Sequence, residues 1–506
     1  MYPGTWARQT PDKPALVIAE TGDTLTYAQL DERSLRLAHV LADAGLRKGD
    51  VVALLSDNTL ETYEVYWAVM RSGLYITAVN HNLGPDEASY IVNDCGAKAL
   101  IVSASKAELV GRLDVDVPFR LAFGGEVPGF SSYDDALAAA SVEPLADQPH
   151  GDDFLYSSGT TGRPKGIKIA LPDFQVDEEG YPYLIFGLLY GFDQDTVYLS
   201  PAPVYHAAPL RFMGVIHAVG GTVVMMQKFD PERYLQAVQD FKVTHTQVVP
   251  TMFVRMLKLP EEQRRSYDTS SLKKVVHAAA PCPVEVKRQM IDWLGPIIEE
   301  YYASTEANGG TMINSHDWLE HPGSVGKPLI GIPHVIGPDG AELGPGEVGT
   351  IYFERDEMPF RYHGDPDKTA STQHPQHPMW TTVGDLGYLS EDGYLYLTDR
   401  KAFMIISGGV NIYPQEIEDL FSLHPRVHDI AVIGVPDDEM GERVVAFVEP
   451  ADDAEGLAEE LTAYARERIA HFKVPREFIV TDDLPRTPTG KLVKGRLKDR
   501  YAEERG

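Results

Sequence analysis

Tyr156-Ser157-Ser158-Gly159-Thr160-Thr161-Gly162-Arg163-Pro164-Lys165-Gly166 is the stretch from which the rest of the chain can be read. It follows the apolar run Phe154-Leu155-Tyr156, which reads as the end of a strand. Five of its residues carry a Ser or Thr hydroxyl or the lysine ammonium, and three are glycines. Glycines let backbone N–H groups close around an anion, hydroxyls donate to phosphate oxygens, and the lysine adds charge. The G-x-x-x-x-G-K-[ST] spacing of the Walker loop is absent. A polar surface turn is the plain alternative for any Gly/Ser loop, but an eleven-residue string of this composition is far more specific.

Upstream of this stretch, strands over 51–55, 75–79 and 99–102 alternate with helices over 25–44, 61–71 and 85–93. Such alternation with short turns predicts parallel sheet covered by helices. Residues 104–150 are weakly patterned and rich in Ala, Asp and Pro. Downstream of Lys168 the alternation resumes, with strands over 196–199, 222–226, 246–249, 274–277 and 297–302. Helices over 211–219, 231–240, 251–257 and 283–293 separate them. Residues 330–398 change character. Turns such as Gly337-Pro338-Asp339-Gly340 and Gly344-Pro345-Gly346 divide short strands over 349–353 and 394–398, which predicts a smaller antiparallel, barrel-like subdomain. A boundary falls at Asp399-Arg400-Lys401. Beyond it, helices over 414–423 and 457–471 and strands over 429–435, 443–448 and 477–480 suffice for a small α+β domain. The expected division is therefore 1–399 and 400–506. No internal repeat or low-complexity tract interrupts it.

The chain has 506 residues, enough for a large core and at least one further unit. A hydrophobic content of 43% and a charged content of 24% are those of a soluble globular protein. The net charge of −30 argues against nucleic acid or an anionic membrane as a partner, and it requires a local basic pocket for any anionic ligand. Cys95 and Cys282 provide neither a disulfide framework nor a zinc set, so a reducing, cytoplasmic location is expected. The start of the chain lacks a basic region followed by an apolar one, and no apolar run reaches the roughly 18 residues that span a bilayer.

The 156–166 string resembles the phosphate-binding signature of the AMP-forming, adenylate-forming enzymes: acyl-CoA synthetases, peptide-synthetase adenylation domains and luciferases. Four further strings fall in the order of that superfamily. Tyr302-Ala303-Ser304-Thr305-Glu306 follows a buried-looking strand and resembles Tyr-Gly-x-Thr-Glu, with Ala303 in place of the glycine. Ligands of open α/β sheets bind at strand carboxyl ends. There an aromatic ring can stack on a purine, a threonine can hold phosphate, and a carboxylate can ligate Mg²⁺. Thr382-Val383-Gly384-Asp385 resembles Thr-Gly-Asp, whose aspartate accepts from both ribose hydroxyls. Asp399-Arg400-Lys401 resembles the interdomain hinge, though Ala402-Phe403 replaces the polar residues usual there. Pro485-Arg486-Thr487-Pro488-Thr489-Gly490-Lys491 closely matches the terminal Pro-x-Thr-x-x-Gly-Lys motif.

The resemblance implies an α/β fold: a large N-terminal domain of doubly wound sheets with a β-barrel-like subdomain, then a small mobile α+β domain. It closest resembles the fatty-acyl-CoA synthetases. ATP and AMP would be bound by Ser157, Ser158, Gly159, Thr160, Thr161, Gly162, Lys165, Ala279, Ala280, Glu300, Tyr301, Tyr302, Ala303, Ser304, Thr305, Asp385 and Arg400. Magnesium would be held by Glu306 and Thr161. The acyl pocket would draw on Tyr205, His206, Val249, His277 and Ala278. Ser407, Gly408, Gly409 and Lys473 would meet CoA. Lys491 would stabilise the charge of the adenylation transition state, with Thr161, Glu306 and His206 as the other catalytic candidates. The implied reaction activates a carboxylic acid with ATP, releases pyrophosphate, and passes the acyl group to CoA. An adenylating enzyme of secondary metabolism is the alternative, with a carrier protein or amine as acceptor or with a group other than a carboxylic acid activated. A homodimer is left open, and a nucleotide sensor of the same fold would not need Lys491.

Overall fold

The computed structural model describes residues 2–157, 164–178, 184–400, 402–437, 439–486 and 492–505. It divides into two compact units, one of Met1–Val248, Arg265–Val275 and Phe360–Thr369, the other of Val249–Arg264, Val276–Pro359 and Ala370–Gly506.

The first unit is built on two sheets. In one, strands Asp152–Ser157, Tyr75–Ala78, Val51–Leu55, Ala97–Ser103 and Phe119–Phe123 lie side by side in that order, all parallel. Every residue of Val51–Leu55 is buried, as expected for a parallel strand with helices on both faces. In the other, His245–Val248, Val197–Ser200, Thr222–Met225 and Pro14–Ile18 are parallel neighbours, and Thr24–Thr26 closes that edge in the antiparallel sense. The helices start where capping chemistry puts them. Thr26 and Gln29 form a reciprocal capping box on helix Tyr27–Asp43, which begins two residues later than the sequence pattern suggests. Asp230 accepts from the N–H groups of Glu232 and Arg233, ahead of Pro231 at the first helical position.

The weakly patterned 104–150 segment holds more structure than its sequence indicates. Phe119–Phe123 is a strand paired in register with Ala97–Ser103, and Tyr133–Ala139 is a helix capped by Ser132. Five residues are too short for a periodic signal. The strand forms because a parallel neighbour, some twenty residues upstream, supplies its hydrogen bonds.

In the second unit, strands Ile298–Ala303, Gly310–Ile313, Ser324–Ile330, Leu395–Arg400, Asp385–Leu389, Gly349–Glu354 and Ile332–Ile336 follow one another as antiparallel neighbours. This is the hairpin architecture that the Gly-Pro turns predict. Val325, Ile351, Phe353 and Leu395 form its core. The C-terminal sheet joins Val427–Asp437 to Gly441–Pro450, which also pairs in parallel with Glu477–Val480. Strict alternation divides its residues between two cores. Ile430, Val432, Val444 and Ala446 meet Ile417, Phe421, Leu457 and Leu461 on one face. Ala431, Ile433, Val445 and Phe447 meet Leu497 and Tyr501 on the other. A run buried on both sides therefore reads as continuously apolar. Helix Leu457–Arg466 stops five residues short of the expected 471, where a short turn at His471–Lys473 precedes Pro475. No helix among the described residues is long and apolar enough to cross a membrane.

Candidate active site

The ends of the 156–166 string, the candidate phosphate loop, lie on the two arms of an antiparallel hairpin. Strand Asp152–Ser157 pairs with Lys165–Lys168, setting Ser157 opposite Lys165, Tyr156 opposite Gly166 and Leu155 opposite Ile167. A side chain at position 166 would lie 2.8 Å from the ring of Phe154, so only glycine fits there. Lys165 holds its ammonium 5.4 Å from the ring centre of Tyr362. Ser158, Gly159, Thr160, Thr161 and Gly162 lie outside the described residues, as does the side chain of Ser157.

The acyl-side candidates of the same unit are tightly tethered. Asn58 is 3% exposed and spends its amide on three backbone groups: it donates to the carbonyls of Ala202 and Met226 and accepts from the N–H of Val204. Asn82 donates to the Tyr205 hydroxyl, and the rings of Tyr205 and His206 stand 4.5 Å apart. His206 precedes helix Ala207–Val219, and Tyr63 donates to the Leu210 carbonyl at 3.0 Å. Sequence reading missed Asn58, Asn82 and Tyr63. Each depends on a partner well over a hundred residues away, a backbone group for Asn58 and Tyr63 and the Tyr205 hydroxyl for Asn82, which no local pattern encodes.

In the second unit three candidates from separate motifs meet. The Tyr302 hydroxyl donates to Asp385 Oδ2 at 2.7 Å, and Arg400 Nε lies 3.0 Å from Asp385 Oδ1. The strands Asp385–Leu389 and Leu395–Arg400 place Asp385 directly opposite Arg400. Burial, reinforced by the Asp385 charge, raises the Tyr302 hydroxyl well above its ordinary range, so it stays a donor. A carboxylate has about four acceptor positions, which leaves Asp385 capacity for a further pair of hydroxyl donors. Glu306 is buried in the turn beyond Ile298–Ala303, and Ser304 donates to Asn308 nearby. Tyr301 and Thr305 are half-buried and Ala303 is exposed.

Glu300, a nucleotide candidate of the sequence, has a buried carboxylate paired with a lysine. Lys287 of helix Val284–Leu294 donates to its Oε2 at 2.6 Å, and the Lys287 side chain has no solvent exposure. His277 Nε2 stands 3.5 Å from the same oxygen. Burial first, and the Lys287 charge second, hold His277 neutral, far below its ordinary range. Lys287 was not singled out from the sequence. The usable signal was a lysine on the helix stripe otherwise made by Val286, Met290 and Ile291. Val249 and Ala278 are buried, each 4% exposed, and Ala280 is half-buried.

Ala279 sits at φ +75°, a left-handed conformation that favours glycine. Backbone strain of this sort gathers at ligand sites. Ala279→Gly should therefore stabilise the fold by about 1 kcal/mol in urea denaturation. An unchanged or lower midpoint would show that the position is not strained.

Ser407-Gly408-Gly409 forms the tip of a hairpin between Ile405–Ser407 and Val410–Ile412. Gly408 and Gly409 have φ of +57° and +78°, as a two-residue turn of this hand requires. Lys473 is held by both carboxylate oxygens of Glu416 at 2.7 Å. Beyond Arg400, where the sequence predicts the hinge, Ala402 is exposed and Phe403 is half-buried, its ring centre 5.4 Å from the Lys494 ammonium. Lys491 lies outside the described residues. Arg486 and Leu492, on either side of them, bridge to each other, and Arg486 is anchored on Asp429.

The family model for AMP-binding enzymes matches residues 4–362, and the model for the AMP-binding enzyme C-terminal domain matches 416–491. This chain belongs to the AMP-binding enzymes. Among the relatives of this AMP-binding enzyme, a feruloyl-CoA synthase of Amycolatopsis sp is 35% identical over 98% of this chain and 99% of its own length. A fatty acid–[acyl-carrier-protein] ligase, ScoC, of Streptomyces coeruleorubidus is 31% identical over 98% and 95%. The structure of ATP-bound MatB from Rhodopseudomonas palustris superposes with a TM-score of 0.80 at 30% identity, covering 100% of each chain.

Proposed function

We propose that the chain is an AMP-forming acid–thiol ligase that makes an acyl-adenylate from a carboxylic acid and ATP and then an acyl-CoA. The observation that supports this most directly is the meeting of Tyr302, Asp385 and Arg400, drawn from three separated motifs. In this reading Asp385 accepts from the ribose hydroxyls, Tyr302 presents its ring to the purine, and Arg400 balances the Asp385 charge while facing ribose or phosphate. A carboxylate oxygen attacks the α-phosphorus, the bond to pyrophosphate breaks, and Lys491 stabilises the developing charge. The CoA thiolate then attacks the acyl carbonyl and AMP leaves with the bonding electrons. Dividing one hard transfer into two steps is the usual benefit of an activated intermediate.

The residues present suit magnesium. Among the described residues no group of three or more His, Cys, Asp or Glu could hold a metal ion. A single buried carboxylate, Glu306, fits an ion that takes most of its ligands from substrate phosphates and water. Thr161, the other magnesium candidate of the sequence, lies outside the described residues. Magnesium supplies charge neutralisation at the phosphates. Glu306→Gln should raise the magnesium concentration needed for half-maximal adenylation by roughly tenfold, the effect of losing one charged ligand contact of about 1.4 kcal/mol. An unchanged magnesium titration would remove Glu306 from that role.

A carrier-protein acceptor is the second reading. It is favoured by the pairing of Lys473 with Glu416, which leaves that cation neutralised, and by the likeness to the acyl-carrier-protein ligase. Acid-dependent pyrophosphate release across a panel of fatty and aromatic acids, with and without CoA, separates the two. Thioester formation with CoA supports the first. Adenylation without any CoA-dependent thioester supports the second.

A further inference from the structure

One ion pair of the first unit ties together the two elements on which the proposed substrates depend. Arg211 donates through Nε to Asp153 Oδ2 at 2.7 Å and through Nη2 to Oδ1 at 2.9 Å. Asp153 is 3% exposed, and the Arg211 side chain is 12% exposed. Asp153 belongs to strand Asp152–Ser157, four residues ahead of Ser157, where the phosphate-loop sequence begins. Arg211 belongs to helix Ala207–Val219, five residues beyond His206. Its helix neighbours Leu210, Phe212, Met213, Val215 and Ile216 are all buried and apolar.

Stability alone does not require charges in this place. Buried ion pairs replaced by apolar side chains of similar volume often leave a fold equally stable. What the forked geometry adds is a fixed angle and translation, because two parallel N–H···O bonds resist the sliding that apolar contacts allow. The start of the same helix and the segment leading to it are held by further bonds, from Tyr63 at Leu210 and from Asn58 at 202–204.

We infer that Arg211 and Asp153 are positioning residues for adenylation: their forked pair keeps the acyl-side helix in register with the strand that leads to the phosphate loop. This rests on the ligase reading above. Adenylation joins two separate molecules, so the carboxylate oxygen must stand about 3–3.5 Å from the α-phosphorus, and a displacement near 1 Å costs roughly 100-fold. The thioester step starts from an acyl group already joined to AMP, and it does not depend on that register in the same way.

The test uses the full-length chain and the double variant Arg211→Met/Asp153→Leu, with Arg33→Met/Glu64→Gln as control. Arg33 and Glu64 are another ion pair of the first unit, at 2.6 Å, with Glu64 deeply buried and neither residue among the site candidates. Circular dichroism establishes folding. The expected result is a fall of roughly 10- to 100-fold in kcat for acid-dependent pyrophosphate release, with KM for ATP and acid nearly unchanged. Thioester formation from a supplied acyl-adenylate should stay within about threefold of wild type in both variants, and the control should keep its adenylation kcat. A folded double variant with wild-type kcat overturns the inference, as does an equal loss in both half-reactions. If the double variant does not fold, Arg211→Lys keeps the charge and removes the fork. A lower kcat at constant KM then supports the inference, and a wild-type kcat overturns it. A wild-type chain that releases no pyrophosphate with any acid removes the functional reading itself and this inference with it. An active wild type with an unaffected variant removes the inference alone.

Discussion

Lys491→Ala should lower acid-dependent pyrophosphate release by roughly 100- to 1,000-fold, the usual cost of about 3–4 kcal/mol for one lost transition-state charge contact. The expectation comes from the Pro-x-Thr-x-x-Gly-Lys string at 485–491 in a chain whose C-terminal family match ends at that lysine. The proposed work of Lys491 is confined to the first half-reaction, where negative charge builds between the carboxylate and the α-phosphate. Thioester formation from a supplied acyl-adenylate should therefore survive far better. The two assays on one preparation of the variant give the answer. Equal loss in both would mean that the lysine serves the fold or nucleotide binding in general. A sensor reading of the chain would be favoured instead if the variant bound ATP as before and the wild type showed no acid-dependent turnover.

Acidification from pH 7 to pH 5 should cost the first unit about 6 kcal/mol of stability. Three histidines of that unit are buried and held neutral. Burial lowers His150 to about 4 and His217 to about 3. Burial, helped by Lys273, lowers His245 to about 4. In the unfolded chain each titrates near 6.5. Between those values the unfolded state takes protons that the folded state refuses, so stability falls as the pH falls. Each histidine contributes about 2 kcal/mol over this interval. Glu64 works in the opposite sense, because burial holds its carboxyl above the ordinary range, and it trims the total.

His217 shows why the folded state refuses the proton. Its Nδ1 accepts from the Trp67 indole at 3.1 Å, and its Nε2 faces the Ala15 carbonyl at 3.0 Å, where it donates. Protonating Nδ1 would replace an acceptor by a donor facing a donor. His217→Gln offers both an acceptor and a donor and does not titrate. It should remove about one third of the pH slope measured by urea denaturation between pH 7 and 5. An unchanged slope would exclude His217 as one of the groups responsible.

The sequence by itself determined the elements whose patterns are local. The buried runs over 51–55 and 274–277 and the helix at 231–240 have the bounds that their residues predict, because apolar periodicity, a Pro at the first turn and an Asp cap act within a few residues. It also determined the family, since the motif strings are contiguous. What only the tertiary structure decided involves partners distant along the chain. Phe119–Phe123 became a strand because Ala97–Ser103 lies beside it. Asp385 met Tyr302 across 83 residues of chain. Glu300 went to a buried lysine that lies on another element. Asp153 found Arg211 58 residues away. Each of these contacts depends on where a polar group comes to rest once the apolar surfaces have closed. A buried charge or amide must find a partner there, and the identity of that partner is set by the packing of whole elements and is written in no single stretch of sequence.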